Sequence, residues 1–156
     1  MQDTGNVKIQ LLRSTSKLPE RAHPTDAGFD LYYCPEDGKT EVRLDQGRRA
    51  LLPCGFAMQL PPGFEAQVRS RSGLAMNGVI VLNSPGTIDE GYRGEVKVIL
   101  MNINPSQHTI RPGDRIAQMV VQRLPIVTMT VVGTLEGLTE RGESGFGASG
   151  TAALSS

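Results

Sequence analysis

An all-β fold, a sandwich or jelly roll, is predicted for this chain on three observations. Its 18 glycines and 10 prolines fall between short apolar runs. Several of those runs alternate apolar and polar residues with the period of two that a half-buried strand needs. No amphipathic stretch is longer than one or two helical turns. Many short strands with turns about every 8–12 residues is the pattern of sandwiches and jelly rolls. At 156 residues the chain is long enough for one domain with a sizeable core.

The elements follow in order. Residues 7–11, Val-Lys-Ile-Gln-Leu, alternate as a strand, and Asp30 in Ala27-Gly28-Phe29-Asp30-Leu31 starts another after a turn. Residues 64–69, Phe-Glu-Ala-Gln-Val-Arg, place their apolar side chains on one face. Residues 72–77 are the best candidate for a short helix, with Ser72 as N-cap and Gly78 as the stop. Residues 78–82 and 96–101 are apolar on nearly both faces, as expected inside a sandwich or at a subunit interface. Between them, residues 86–96 are expected to form a hairpin. Arg111-Pro112-Gly113-Asp114 is a turn before a strand opening on Arg115-Ile116-Ala117-Gln118. Residues 127–131, Val-Thr-Met-Thr-Val, alternate once more, and strand character ends near Val132. The core is therefore expected over 1–132. A linker and a glycine-rich arm, 133–156, have too little apolar content to join it, so the arm is expected to be mobile unless something orders it.

Composition narrows the function. Lys and Arg together number 16, as do Asp and Glu, so the formal net charge is zero. A general nucleic-acid binder needs a basic surface, so none is expected. No apolar run approaches the roughly 18 residues of a membrane helix, and the opening residues show no signal-peptide core. Cys34 and Cys54 are far apart in sequence and form no CxxC motif. They are expected to be buried free thiols in a reducing cytoplasm. His23 and His108 have no ligand companions at useful spacing, so no zinc site is expected.

Three segments carry chemistry. Residues 86–96 put Asp89, Tyr92 and Arg93 on one turn, with Asn83-Ser84-Pro85 leading in. Such a turn offers backbone donors and acceptors to a flat ligand, a ring face, and an acid able to activate water, although Asp is also a common turn-former. Ser70-Arg71-Ser72-Gly73 joins a guanidinium and a hydroxyl to a helix N-terminus, an arrangement for an anion, or else a plain cap beside a surface arginine. Residues 141–150 gather glycines around Arg141 and Phe146. They lack the lysine and the following helix of a P-loop, yet such a tail can wrap phosphate with its N–H groups. A phenylalanine can stack on a base, and an arginine can neutralise phosphate charge during reaction. The other reading is a tail without a role.

Taken together and in order, Ala27–Leu31, Arg71–Ala75, residues 86–98, Arg115–Gln118 and residues 141–150 resemble the five motifs of the trimeric dUTPase family. The resemblance spans about residues 7–150. It implies a distorted β jelly roll, a homotrimer whose three sites each draw on all three chains, and hydrolysis of dUTP to dUMP and pyrophosphate with Mg²⁺. Such a reaction keeps uracil out of DNA and supplies dUMP for dTMP synthesis. By the family pattern Asp89 is the general base, a weak one, so positioning of the water must contribute much of the rate. Gln118 lies near the α-phosphate and the water, and Arg141 reaches the γ-phosphate. Arg71, Ser72 and Gly73 hold the phosphate chain. Asn83, Gly86, Thr87 and Ile88 meet the uracil edge, where a narrow pocket would exclude the thymine methyl. Tyr92 packs under the deoxyribose and leaves no room for a 2′-hydroxyl. Phe146 stacks on uracil, and Gly147, Ala148 and Ser149 continue the tail's grip. Asp30 holds Mg²⁺ through water, the usual outer-sphere manner for an ion that binds phosphates directly. Arg115 braces the site against an acid.

The sequence departs from the family pattern in the tail, where Ser144 replaces a glycine and Ala148-Ser149 replaces Ser-Thr, which is expected to weaken γ-phosphate contacts. It also departs at Ser70, which replaces a common proline and is expected to loosen its turn slightly. Two other readings compete: a dCTP deaminase or bifunctional deaminase of the same superfamily, and a non-enzymatic jelly-roll module.

Overall fold

The computed structural model describes residues 5–37, 39–137, 139 and 142. The strands are β1 (Lys8–Leu11), β2 (Phe29–Tyr32), β3 (Val42–Leu44), β4 (Arg49–Gln59), β5 (Phe64–Arg69), β6 (Val79–Val81), β7 (Gly86–Ile88), β8 (Glu95–Asn102), β9 (His108–Ile110) and β10 (Arg115–Arg123), with one short helix, α1 (Ser72–Met76), between β5 and β6. The all-β prediction holds. One sheet runs β1-β4-β8-β6, a second runs β2-β10-β5-β7, and β3 pairs with β9. Every paired ladder is antiparallel.

Alternation decides which faces enter the core. In β8, Val96, Val98 and Leu100 are buried while Lys97 is exposed and Ile99 and Met101 are half-buried. In β6, Val79 and Val81 are buried and Ile80 is half-buried. They meet Leu31, Leu52, Phe56 and Ile116 in one contiguous core. The doubly apolar strands thus keep an outer apolar face. Leu51 opposes Ile99, and Ile80 opposes Met101. Asn102 is the one fully buried polar residue among those described. Its amide donates to the carbonyls of Leu44 and Ser106, and its oxygen accepts from the Asn104 N–H, so burial leaves no orphan. Cys34 and Cys54 are buried free thiols, as expected.

Three local expectations are corrected. Residues 86–96 are not a paired hairpin: β7 pairs with β5 in one sheet and β8 with β4 and β6 in the other. Gly86 and Ile88 are buried against β5, so the chain spends β7 on that sheet and crosses at 89–94. Ser72 is not the cap of α1. Arg71 holds the N-cap position in an extended conformation without a side-chain cap bond, and Ser72 is the first helical residue. Gly78 does end the helix, at φ +76°, with the Asn104 backbone nitrogen 2.9 Å from where a Cβ would sit. Finally, residues 127–131 are not a strand. Val127, Met129 and Val131 are 68%, 90% and 100% exposed. A period-two pattern becomes a strand only where a ladder partner exists, and no described strand pairs with this segment. The chain divides into two compact units, Met1–Ile126 and Val127–Ser156. Among the described residues no helix is long and apolar enough to cross a membrane.

Candidate functional site

The second sheet builds one of two candidate cavities. β10 lies between β2 and β5, and its Gln118 faces Asp30 on one side and Arg69 on the other. Past Arg69 the chain leaves the sheet through Ser70 and Arg71 into α1. Asp30, Arg71, Ser72, Gly73 and Gln118 therefore line one cavity of about 310 Å³. Asp30 accepts from Arg71 Nε on Oδ1 at 3.0 Å and from Arg115 Nη1 on Oδ2 at 3.1 Å. Gln118 Nε2 donates to the Ser70 carbonyl at 2.9 Å. Gly28 packs against Gln118, and any side chain there would meet Gln118 Oε1. A side chain at Gly73, by contrast, would meet nothing within 4 Å. The chain's own packing does not demand glycine there, and the space opens into the cavity.

Ser70 has a tether of its own. Its hydroxyl accepts from the Val81 N–H at 2.8 Å and ties the turn to β6, a link that proline lacks. Arg115 does brace an acid, namely Asp30. Each guanidinium has five N–H donors, and Arg71 and Arg115 spend few of them here, so both keep donors for an anion. The first-turn N–H groups of α1 have no intrahelical acceptors and point the same way chemically.

The donor set also bears on magnesium. A carboxylate offers about four lone-pair sites, and the two arginines take two of those on Asp30. The remaining sites fit water on an ion that arrives bound to phosphate. Among the described residues no group of three or more His, Cys, Asp or Glu side chains forms an all-protein cage. Asp26, which also lines the cavity, is a second acid that motif reasoning passed over, although it stands in the same turn as Gly28. Its Oδ2 accepts from the His23 N–H at 3.0 Å.

The crossover builds the other. Asn83, Thr87, Ile88, Asp89 and Tyr92 line a separate cavity of about 300 Å³. Gly86 is buried, and a Cβ there would stand 3.1 Å from Asn83 Nδ2. The turn is held on several sides. Tyr92 N–H donates to the Asp89 carbonyl at 3.0 Å, Arg93 Nη1 donates to the Glu90 carbonyl at 2.6 Å, and Gly63 N–H donates to Glu90 Oε2 at 2.8 Å. Asp89 is left exposed and lines the cavity. Leu51 and Lys97 also line this cavity and were not anticipated. The one signal for Lys97 was its position as the single charge within an apolar run.

Within one chain, then, Asp89 and Gln118 belong to different cavities. Arg141, Phe146, Gly147, Ala148 and Ser149 lie outside the described residues.

A family model described as dUTPase matches residues 14–150. A deoxyuridine 5′-triphosphate nucleotidohydrolase of Orientia tsutsugamushi is 46% identical over 144 residues, 92% of this chain and 95% of its own. One from Anaplasma marginale is 46% identical over 150 residues, 93% and 99%. Among solved structures, a mutant Staphylococcus bacteriophage 80alpha dUTPase with dUpNHpp aligns at 26% identity and a TM-score of 0.83, over 95% of this chain and all of that one. A mutant phage phi11 dUTPase, described for its coordination of a structural Mg(II) ion, aligns at 23% identity and a TM-score of 0.73 over 85% and 99%. That last likeness concerns the fold alone.

Proposed function

We propose a reaction course for this chain, which belongs to the dUTPase family and is a dUTP diphosphatase. Water attacks the α-phosphorus of dUTP. A new O–P bond forms there, the bridging α–β P–O bond breaks, and dUMP and pyrophosphate separate. Asp89 orients the water and takes its proton, while Gln118 aligns the water with the α-phosphate. Arg71, with the Ser72 hydroxyl and the backbone of Ser72 and Gly73, carries the phosphate chain, and Arg141 from the tail meets its γ end. Asn83 and the backbone of Gly86, Thr87 and Ile88 read the uracil edge. Tyr92 closes the sugar face against a 2′-hydroxyl, and Phe146 stacks on the base with Gly147, Ala148 and Ser149 beside it.

Mg²⁺ on the phosphates would neutralise charge on the leaving pyrophosphate, with Asp30 its water-mediated holder. The protein's own share is preorganisation. Arg71 is already fixed on Asp30, which Arg115 braces, so Arg71 meets phosphate with little ordering cost.

The observation that carries this reading is the cavity where Asp30, Arg71, Arg115 and Gln118 converge at the open end of α1. The split between the two cavities supports a site completed by more than one copy of the chain. The outer apolar face of Leu51, Ile80, Ile99 and Met101 supports a homotrimer that buries it. The expected role is to lower dUTP and supply dUMP for dTMP synthesis in the cytoplasm.

Hydrolysis in ¹⁸O-labelled water tests the attack. Label in dUMP and none in pyrophosphate is expected. Label in pyrophosphate would move the attack to the β-phosphorus.

A further inference from the structure

Tyr92 is 46% exposed, so core packing alone does not locate its ring. What locates it is a hydrogen bond: its hydroxyl donates to the Glu95 carbonyl at 3.0 Å. The ring lies so close over Gly94 that a Cβ there would come within 2.7 Å of Tyr92 Cζ. The position of the ring therefore follows the position of the Glu95 peptide.

That peptide is clamped through its side chain. Arg13 grips the Glu95 carboxylate with both terminal nitrogens: Nη1 on Oε1, and Nη2 on Oε2 at 3.1 Å. The Gly55 N–H also donates to Glu95 Oε1, at 2.9 Å. Opposite Glu95, β4 carries a two-residue bulge, with pairing that steps from Pro53–Lys97 to Ala57–Glu95 and Gly55 at φ +76°. The residues around Arg13 are fastened to that bulge. Leu12 N–H and the Ser16 hydroxyl both donate to the Gly55 carbonyl, at 2.8 and 2.6 Å, and Ser16 Oγ accepts from Arg13 N–H. The Arg13 and Glu95 side chains are only 16% and 13% exposed. Burial pushes the Glu95 carboxyl up, and the Arg13 guanidinium and the Gly55 N–H outweigh it and hold the carboxyl below the usual glutamate range. A bidentate pair sheltered this far is a strong geometric constraint.

We infer that Arg13 is a positioning residue for sugar discrimination: through Glu95 it sets where Tyr92 stands and so how well the site refuses a 2′-hydroxyl. The inference rests on the reading of Tyr92 given above. Arg13 is more than 70 positions from the crossover in sequence and lines neither site cavity. Its effect therefore belongs to substrate selection rather than to the chemical step.

The test is kcat and KM for dUTP and for UTP in wild type, Arg13→Gln, Arg13→Lys, Tyr92→Phe and the Arg13→Gln/Tyr92→Phe pair, with melting temperatures alongside. Arg13→Gln is expected to lower the dUTP-to-UTP ratio of kcat/KM by about tenfold, the scale of one well-made hydrogen bond. The change should lie mainly in KM, and Arg13→Lys should restore part of it. Tyr92→Phe should reproduce the loss, and the pair should lose no more than either single variant, because both cut one chain of contacts. If Arg13→Gln does not fold, Glu95→Gln serves, since it keeps an acceptor for Gly55 and loses the ion pair. An unchanged ratio in a folded variant, with wild type discriminating, overturns the inference and leaves the Tyr92 reading intact. A wild type that turns over UTP as well as dUTP overturns the Tyr92 reading itself.

Discussion

Gln118 stands directly across the β2–β10 ladder from Asp30, and the two side chains face one cavity with different tasks. Asp30 holds two arginines, while the Gln118 amide reaches the Ser70 carbonyl. The three atoms nearest to where a Cβ at Gly28 would sit all belong to Gln118. Gly28→Ala should therefore push Gln118 off Ser70 and leave the Asp30 ion pairs in place. A loss of about 10–100-fold in kcat is expected, with KM for dUTP within a few-fold, because a misplaced aligning group costs transition-state geometry first. Steady-state kinetics decide it, and a pure KM effect would make Gln118 a binding residue instead.

Asp89→Asn keeps shape and hydrogen-bonding capacity but removes the base. Its kcat should fall by about 10²–10⁴-fold. Calorimetry should still find dUTP bound within a few-fold of the wild-type affinity, since Asp89 is exposed and in the proposed reaction course acts on the water rather than on the nucleotide. Unchanged turnover would place the base elsewhere.

Much of this was legible beforehand, for reasons that differ by residue. Period-two runs such as 64–69 announce strands because half-buried sheets must alternate. The motif residues Asp30, Arg71, Ser72, Gly73 and Gln118 line one cavity, a grouping that their resemblance to one family's motifs announced and local patterning did not. The pairing of strands was not legible. Residues 86–88 and 95–102 look like two arms of one hairpin, yet they join different sheets, because register depends on partners far away in sequence. Residues 127–131 have the strand pattern without a described partner. Arg13–Glu95 was invisible for the same reason: no local pattern marks two charges 82 residues apart that meet behind a bulge.

A chain ending before Gly137 should keep its folded unit, since among the described residues the last paired strand ends at Arg123. It should lose most turnover, because Arg141 and Phe146 are removed. Melting temperature within a few degrees of wild type and strongly reduced kcat/KM are expected. Full activity would remove the tail from the mechanism.

Glu95 makes stability depend on pH in a definite direction. Its carboxyl is held below the ordinary glutamate value of 4.5, so the folded state binds the proton less readily than the unfolded chain. The stabilisation is fully present above that value and is lost as pH falls below it through the folded-state value. Urea unfolding of wild type and Glu95→Gln between pH 7 and pH 3 should show the largest gap at neutral pH and a shrinking gap in acid. A gap that is constant with pH would mean the ion pair contributes nothing to this dependence.

The central claim meets its most direct test in pyrophosphate and ammonia release from dUTP, UTP, dTTP and dCTP, each with Mg²⁺ and again with the metal chelated. Pyrophosphate from dUTP alone, falling when the metal is removed, is the predicted result. It would support the phosphate cavity, the uracil edge and the Tyr92 sugar face together. Equal turnover of all four nucleotides, or ammonia from dCTP, would contradict the account.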